Sequence, residues 1–299
     1  MNAKSRIRVG VDVGGTKIAL ALVDTVSHIC SEVPRFEVAP YKEGDNLVER
    51  LVSEIENLYQ QDGYSQEDIR GIGIGSPGPL DLKTGTILNT PNMPMLQNYN
   101  LKDAVQQQAG VPVEINNDAN CFVLGEALAG EAKDGDIVLG VTLGTGYGFG
   151  IIFNKKVYEG ATGTAAEIAH CPYQESMLEK NYISGHGLSR MYTDRTGQKL
   201  SGIDIARRAE DGEPEALEAF KEFGMHLGKS FAWFVNILDP DYIVVGGSIA
   251  KNWEFFRKSM FETLYEYINP GPREHLKIVP SELGESAAII GAAGLIRNE

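Results

Sequence analysis

Two glycine-rich turns are the segments of this sequence best suited to bind phosphate. The first occupies residues 12–17, Asp-Val-Gly-Gly-Thr-Lys, and the second occupies residues 142–146, Thr-Leu-Gly-Thr-Gly. Glycine lets backbone N–H groups approach phosphate oxygens that a Cβ atom would block. The two turns therefore predict a polyphosphate site, although a glycine hairpin without a ligand has the same composition.

Asp12 and Lys17 add charge to the first turn. Mg²⁺ keeps several waters and takes few protein carboxylates, so Asp12 is a candidate to hold a hydrated Mg²⁺ through water. An aspartate before two glycines can also serve only to form the turn. Thr16 and the backbone beside it would donate to phosphate oxygens. Lys17 is either part of the site or a solvated surface lysine.

Asp118 is the candidate for acid–base chemistry. It lies in the polar segment 116–120, Asn-Asn-Asp-Ala-Asn. Such a carboxylate should stay ionised at neutral pH, and phosphoryl transfer uses a group of this kind to accept the proton of the attacking hydroxyl. The same residue would also suit the cap of a helix that starts at Ala119. The residue types alone leave both roles open.

The two turns belong to a repeated pattern of apolar strand, glycine turn and apolar strand, at residues 9–22 and 139–152. The chain is therefore predicted to contain two versions of one architecture. The matching residues are Gly10 with Gly140, Val11 with Val141, Val13 with Leu143, and Gly14 with Gly144.

The remaining elements predict an α/β chain. Period-two and continuous apolar runs predict strands at residues 8–13, 18–24, 28–38, 70–75, 111–115, 137–143, 148–153 and 242–245. Helices are predicted at residues 101–109, 214–238 and 287–296, and around the apolar stripe of Leu47, Leu51, Ile55 and Leu58.

Composition and net charge limit the kinds of molecule that this chain could bind. The 299 residues suit two domains, and the formal charge of −14 would repel nucleic acid and anionic membrane surfaces. The three cysteines are far apart and odd in number, as expected for free thiols. No apolar run approaches the ~20 residues that span a bilayer, and the amino terminus lacks a hydrophobic signal core. These features predict a cytoplasmic protein without nucleic-acid or membrane partners.

The motifs, in their order and spacing, resemble those of the ROK (repressor, open reading frame, kinase) sugar kinases, within the actin, hsp70 and hexokinase superfamily. The resemblance covers essentially the whole chain and implies a duplicated ribonuclease H-like two-domain fold with a central cleft. The motifs that carry it lie at residues 12–17, 73–78, 90–92, 117–120, 143–146, 167–170, 178–179 and 245–247.

The resemblance implies a role for each motif. Asp118 would be the general base of a sugar kinase. The implied sugar contacts are Asn92, Asn117, Asp118, Glu167, His170 and Glu179, of which Glu167 and His170 would share one face of a helix. The implied contacts of Mg-ATP are Asp12, Gly14, Gly15, Thr16, Lys17, Thr142, Gly144, Thr145, Gly146, Gly246 and Gly247.

The resemblance also implies a homodimer, and the absence of a low-complexity linker predicts two domains that meet at a hinge. The smaller domain would comprise residues 1–117 with the carboxyl-terminal helix 287–299, and the larger domain residues 118–286, with a hinge near Asp118. Family members that act as regulators carry an amino-terminal DNA-binding domain, whereas here the first phosphate turn begins within about the first dozen residues.

The chain departs from the family pattern after His170. Most members have a Cys-x-Cys-Gly-x-x-Gly-Cys segment here that binds structural zinc together with the histidine. This chain has Cys171 as the only cysteine of the segment, and Met177 stands where the last ligand would be. A tetrahedral zinc site takes four nitrogen or sulfur ligands, and only His170, Cys171 and His186 are at hand. We expect a metal-free loop and no zinc site.

The favoured function is an ATP-dependent kinase of a hexose, with glucose as the default substrate. A kinase of an N-acetylhexosamine or a rarer hexose is the rival within the same chemistry. A sugar-sensing regulator without catalysis is the alternative from another class. An hsp70-like or actin-like ATPase does not explain the sugar-facing motifs.

Overall fold

The computed structural model describes residues 7–297, except Thr25, Ser27, Cys30, Glu175 and residues 178–181, and it leaves out the side chains of Ile29 and His170. The chain forms two compact units. Within the described residues, the first unit comprises the chain up to Asp134, Lys155–Ala165, and the chain from Leu283 onward. The second unit comprises Gly135–Asn154 and Ala166–Glu282.

The main sheet of the first unit is built around a central antiparallel hairpin. Its strands lie in the order β3-β2-β1-β5-β9, with β4 also paired to β2. The strands of the unit are β1 (Ile7–Val13), β2 (Lys17–Asp24), β3 (His28–Ile29), β4 (Arg35–Glu37), β5 (Ile69–Ser76), β6 (Leu80–Asp81), β7 (Thr86–Ile87), β8 (Tyr99–Asn100), β9 (Val113–Asn117) and β12 (Lys156–Val157). Its helices are α1 (Gly44–Gln61), α2 (Leu101–Ala109), α3 (Asp118–Ala129) and α9 (Glu285–Gly294).

Within the second unit, the sheet strands lie in the order β11-β10-β15-β16. The strands of the unit are β10 (Ile137–Leu143), β11 (Tyr147–Phe153), β13 (Pro172–Tyr173), β14 (Ser176–Met177), β15 (Tyr242–Gly246) and β16 (Lys277–Pro280). Its helices are α4 (Gly185–Thr196), α5 (Gly202–Glu210), α6 (Pro214–Leu238), α7 (Trp253–Tyr267) and α8 (Pro270–His275). Short 3₁₀ helices in the chain include Pro94–Leu96, Ile168–His170 and Ile249–Asn252.

The two sheets share one topology, which confirms the predicted duplication. In the first unit β1 pairs antiparallel with β2 and parallel with β5, and β5 pairs parallel with β9. In the second unit β10 pairs antiparallel with β11 and parallel with β15, and β15 pairs parallel with β16. Each glycine turn therefore joins the hairpin at the same place in its sheet.

Alternation along β2 determines what packs on each face of the first sheet. Ile18, Leu20 and Leu22 join the core that contains the buried face of α1, whereas the smaller Ala19 and Ala21 pack toward α9. Glycine completes the close approach of α9, because a Cβ atom at Gly73 would collide with the carbonyl oxygen of Ala292. The core of the second unit is formed mainly by the sheet and the aromatic side chains of α6.

Most predicted elements lie close to their observed positions, but the third predicted strand, residues 28–38, was wrong as a single element. It is divided into β3 and β4. Between them the backbone N–H of Leu22 donates to the Ser31 side-chain oxygen, at 2.9 Å, instead of to a backbone carbonyl. Pro34 has no N–H to give to a sheet. The ladder is therefore interrupted.

The compact units differ from the predicted domain division. The prediction places residues 118–286, and with them α3, in the larger domain, apart from residues 1–117 and 287–299. In the structure α3 instead packs along α9 inside the first unit. The packing is tight, because a Cβ atom at Gly125 would collide with the carbonyl oxygen of Ala287. None of the helices in the described part of the chain is both long and apolar enough to cross a membrane.

Candidate active site

The first glycine turn connects β1 to β2 and presents Asp12 at the carboxyl end of β1. Gly14 N–H donates to the Lys17 carbonyl oxygen at 3.0 Å, which closes the turn. A Cβ atom at Gly15 would lie 3.1 Å from the Asn92 Cβ, so glycine allows Asn92 to lie against the turn. Thr16 and Lys17 are exposed beside it. The structure thus brings the predicted sugar residue Asn92 to the predicted phosphate turn.

Asp12 has a perturbed carboxyl group. Its pKa is raised to about 6, chiefly by burial and then by the neighbouring Glu285 carboxylate, while Lys17 acts in the opposite direction. Glu285 is the first residue of α9. Its carboxylate oxygens also form ion pairs with Lys17 Nζ, at 3.5 Å, and with Arg35 Nη2, at 2.8 Å. Neither Glu285 nor Arg35 was predicted as a site residue, because nothing in the spacing of the sequence places the start of α9 beside this turn.

Asp118 lies where β9 passes into α3. Asn117 is the N-cap of α3, and its side-chain oxygen accepts from Ala119 N–H at 2.9 Å. One oxygen of the Asp118 carboxylate also accepts from Ala119 N–H, at 2.7 Å. Asp118 therefore does contact the start of the helix, but Asn117 is the residue in the cap position. Both side chains are partly exposed.

The Asn116 side chain fixes the backbone just before Asp118. Its oxygen accepts from Asn117 N–H and from the Asn120 amide, each at 2.9 Å. Its amide nitrogen donates to a carboxylate oxygen of Glu159, also at 2.9 Å. Asn116 is 1% exposed, so its own end of each bond is buried, whereas Glu159 is exposed. From the sequence Asn116 was only a polar neighbour of Asp118, and Glu159 was not predicted at all.

Strand register places Asp12 and Asp118 at one edge of the first sheet. Asp12 lies opposite Gly75 of β5, and Gly75 lies opposite Asn116 of β9. The buried Cys121 lies against Gly75, and the pKa of its thiol is raised by burial and by the charges of Asp118 and Asp12. Carboxyl ends of parallel strands are the usual place for ligands in open α/β sheets.

The predicted sugar residues of the second unit are described only in part. Glu167 is exposed and forms the centre of a tight turn, in which Ile168 N–H donates to the Ala166 carbonyl oxygen at 2.7 Å. It precedes the 3₁₀ helix Ile168–His170 and so does not share a helix with His170. The His170 side chain and all of Glu179 lie outside the described residues.

The second glycine turn connects β10 to β11. Gly144 N–H donates to the Gly146 carbonyl oxygen at 3.1 Å, and Thr142 at the end of β10 lies opposite Gly246 of β15. Gly247 has a φ of +88°, and a Cβ atom there would collide with the backbone of Leu143. The two glycine motifs predicted to contact the nucleotide therefore lie against each other.

A cavity of about 550 Å³ opens beside this second turn, entirely within the second unit. Ligand pockets commonly have volumes of about 300–1,000 Å³. The amino terminus of α4 forms one wall, where Gly185 N–H donates to the Gly144 carbonyl oxygen at 2.8 Å. The polar side chains of the lining belong to Thr145, His186, Ser189, Lys199, Ser201, Ser248 and Asn252. Of these residues only Thr145 was predicted from the sequence to bind the nucleotide.

The described residues contain no cluster of three or more His, Cys, Asp or Glu side chains that could hold a metal ion. His186 lines the cavity, and Cys171 is half-buried at the start of the β13–β14 hairpin. The His170 side chain is not among the described atoms. The absence of a zinc site in this loop therefore stays a prediction.

Comparison with known proteins identifies relatives along the whole chain. A protein-family model described as the ROK family matches residues 8–299. The N-acetyl-D-glucosamine kinase of Aliivibrio salmonicida is 30% identical over 313 residues, covering 96% of this chain and 98% of that protein. The glucokinase of Halalkalibacterium halodurans is 27% identical over 317 residues, covering 97% and 95%.

A solved structure gives the same relationship. The ROK family glucokinase from Streptomyces griseus, crystallised with glucose and AMPPNP, has a TM-score of 0.77 and 29% identity, and the match covers 97% of this chain and 98% of that one. The predicted duplicated, ribonuclease H-like two-domain fold is confirmed. The relatives are named as sugar kinases, which supports a phosphotransferase that acts on a sugar.

Proposed function

The chain belongs to the ROK family, and from that premise we propose that it is an ATP-dependent kinase of a hexose in which Asp118 is the general base. The observation that carries the proposal is the placement of Asp12 and Asp118 at the carboxyl ends of β1 and β9, the two strands that flank β5. Phosphoryl transfer to an alcohol calls for this pair of functions, a proton acceptor and a group that can hold a cation near phosphate.

Asp118 would take the proton of the attacking sugar hydroxyl. The hydroxyl oxygen forms a bond to the γ-phosphorus of ATP, the bond from that phosphorus to the bridging oxygen breaks, and ADP leaves with the electron pair. The Asn116 side chain holds the junction that carries Asp118 through bonds to Asn117 and Asn120. The carboxylate therefore stands on a rigid element, which favours proton transfer at a fixed position.

Nucleotide binding is assigned to the second glycine turn and the cavity beside it. Backbone N–H groups of the turn and the Thr145 hydroxyl would donate to phosphate oxygens. The cavity has the volume for a base and ribose, and Lys199 adds a positive charge to a lining of hydroxyl and amide groups. Gly246 and Gly247 support the turn from β15 rather than lining the cavity.

Asp12 fits the cation that ATP brings. Its carboxyl pKa is raised to about 6 by burial and by Glu285, so a positive ion nearby would stabilise the ionised form. Mg²⁺, when bound, neutralises charge on the phosphates. Asp12 would hold it through water, since this ion keeps most of its hydration shell.

Glucose is the favoured sugar, and N-acetylglucosamine is the second candidate. The glucokinase of Streptomyces griseus was crystallised with glucose at 29% identity to this chain. The relative from Aliivibrio salmonicida, at 30% identity, is named for N-acetyl-D-glucosamine. We place Asn92, Asn117 and Asp118 among the sugar contacts of the first unit, with Glu167, His170 and Glu179 as the further contacts.

A coupled assay of ADP release across a panel of hexoses and N-acetylhexosamines tests the function. We expect turnover that requires both Mg-ATP and one sugar of the panel, and a sugar phosphate as product by mass spectrometry. The highest kcat/KM in the panel identifies the substrate. A protein that binds a sugar but releases no ADP would instead be the non-catalytic, sugar-sensing member of the family.

A further inference from the structure

The β13–β14 hairpin lies between the predicted sugar residues of the second unit. Glu167 and His170 precede it, and Glu179 follows it in sequence. The hairpin has only two residue pairs, Pro172 with Met177 and Tyr173 with Ser176. A hairpin of this length has no stability of its own in water. Something in the rest of the unit must hold it in place.

Tyr173 is the buried side chain of this hairpin. It is 7% exposed, and its hydroxyl oxygen lies 2.9 Å from His226 Nδ1 on α6. Its ring meets the ring of Tyr182 edge-on, with centroids 4.8 Å apart, and that of Trp233 at 5.6 Å. We call Tyr173, Tyr182, His226 and Trp233 the hairpin anchor.

The neighbouring groups indicate the direction of the central hydrogen bond. Burial raises the pKa of Tyr173 to about 12, so its hydroxyl keeps its hydrogen at neutral pH and can donate it. Burial also lowers the pKa of His226, and Lys229 and Arg190 act in the same direction while Glu222 opposes them. The Glu222 carboxylate, 3.7 Å from Nε2, favours the tautomer of neutral His226 that carries its hydrogen on Nε2, which leaves Nδ1 to accept from the Tyr173 hydroxyl.

The outer groups of the anchor join α4 to α6. The Arg190 guanidinium of α4 lies over the Tyr182 ring, 4.9 Å from its centroid. Arg195 of α4 forms an ion pair with Glu222 of α6 at 2.6 Å. The anchor residues outside the hairpin are therefore attached to two helices of the unit.

The turn that carries Glu167 is continuous with the hairpin. Ile168 N–H donates to the Ala166 carbonyl oxygen at 2.7 Å, and Cys171 N–H donates to the Ile168 carbonyl oxygen at 2.9 Å. Pro172, the first residue of β13, follows at once. Movement of Tyr173 would be passed along this short bonded segment to Glu167 and to the backbone of His170.

We propose that the hairpin anchor, through the bond from the Tyr173 hydroxyl to His226, positions Glu167 and His170 for the sugar without a metal ion. This inference rests on the proposed function, because it assumes that these two residues contact the substrate. Tyr173 and His226 are positioning residues and do not touch the reacting atoms.

The first test is Tyr173→Phe, which removes one hydroxyl and keeps the ring. We expect the KM for sugar to rise about fivefold, the usual effect of losing one buried hydrogen bond, with the KM for ATP unchanged. His226→Leu should have the same effect. His226→Asn should restore most of the sugar affinity, because the asparagine oxygen can accept near the position of Nδ1.

Tyr192→Phe is the matched control. Tyr192 is another buried tyrosine of the second unit, and its hydroxyl donates to Glu213 at 2.6 Å. It has no contact with the anchor among the interactions described for it. Its loss should lower stability as Tyr173→Phe does, but leave the KM for sugar unchanged. Equal rises in the KM for sugar in the two variants would overturn the proposal.

Hydrogen exchange and calorimetry separate this proposal from the proposed function. In Tyr173→Phe the amides of residues 168–177 should exchange faster than in the wild type, and the sugar affinity by calorimetry should fall. If the wild-type protein binds sugar but does not turn over, the proposed kinase activity is wrong, and the prediction for Tyr173→Phe can still be tested by sugar affinity. Unchanged sugar affinity in Tyr173→Phe, or one tightly bound zinc per chain by elemental analysis, would overturn it.

Discussion

Asp12 is held in the fold at an energetic disadvantage. Its carboxyl pKa is raised from 3.8 to about 6, first by burial and then by the Glu285 carboxylate. The ionised side chain is therefore less favourable in the folded than in the unfolded chain. This cost of ionisation is expected for a residue whose function is to bind a positive ligand, and binding of that ligand removes the cost.

Asp12→Asn should stabilise the ligand-free protein while it abolishes Mg-ATP turnover. The difference between a pKa of 3.8 and about 6 corresponds to at most about 3 kcal/mol. Because the folded pKa is the higher one, this penalty is fully present above pH 6 and disappears as the pH falls toward 3.8. Urea unfolding at pH 7.5 and at pH 4.5 measures it. A variant equally stable with wild type at pH 7.5 would contradict the account.

Ala166 is strained, because its φ is +72° in a residue that carries a Cβ atom. The left-handed conformation costs an alanine about 1 kcal/mol relative to glycine. Ala166→Gly should therefore raise the free energy of unfolding by about 1 kcal/mol. Ala169→Gly, three residues further in the 3₁₀ helix, has no such strain to relieve and should lower it. Denaturant titration of the two variants compares them directly.

The residues that carry chemistry were only partly predictable from the sequence. Asp12 and Asn92 could be singled out because they lie in motifs with local spacing, and the structure places Asn92 against Gly15 in the turn that follows Asp12. Glu285 and Glu159 could not, because each reaches its partner from a distant part of the chain. Long-range contacts between polar side chains leave no periodic trace in a sequence.

At the scale of the elements, apolar periodicity was the dependable signal. Helix α6 was predicted at its observed bounds, since its apolar stripe is long and Pro214 marks its first turn. Strand β9 was predicted two residues too early, because Asn116 and Asn117 are rare in strands by propensity alone. Their ladder with β5 overrides that preference and places Asp118 as the first residue of α3.

Gly73→Ala tests the packing of α9 on the first sheet. A Cβ atom at this position would collide with the backbone of Ala292. Backbone atoms cannot relieve such a collision by a change of rotamer, as a side chain can. We expect a loss of about 3 kcal/mol or failure to fold, the upper range for overpacked cores. Gly271→Ala is the control, since no atom would lie within 4 Å of its Cβ. A folded Gly73→Ala variant with wild-type melting temperature would contradict this packing.

At the scale of the whole molecule, the duplication explains why two glycine turns occur at equivalent places in two sheets. The turns have diverged in charge, since the first has Asp12 where the second has Thr142. One copy therefore suits a cation and the other suits phosphate oxygens. The domain boundary was less predictable than the duplication, because α3 and α9 belong together only through packing between distant segments.

The whole chain is also predicted to form a homodimer, as the family resemblance implies. Sedimentation equilibrium should then give a mass about twice the 32.6 kDa of one chain. The measurement is best made at two ionic strengths, because the net charge of −14 opposes association most at low salt. A single species of 32.6 kDa at both ionic strengths would contradict the prediction.

The central claim is that Asp118 accepts the proton of the sugar hydroxyl, and the turnover of Asp118→Asn tests it most directly. An asparagine oxygen can still accept from Ala119 N–H, so the contact with α3 survives while the base is lost. We predict that kcat falls by about two to four orders of magnitude while sugar binding and the melting temperature stay near wild type. A kcat within a few-fold of wild type would contradict the account.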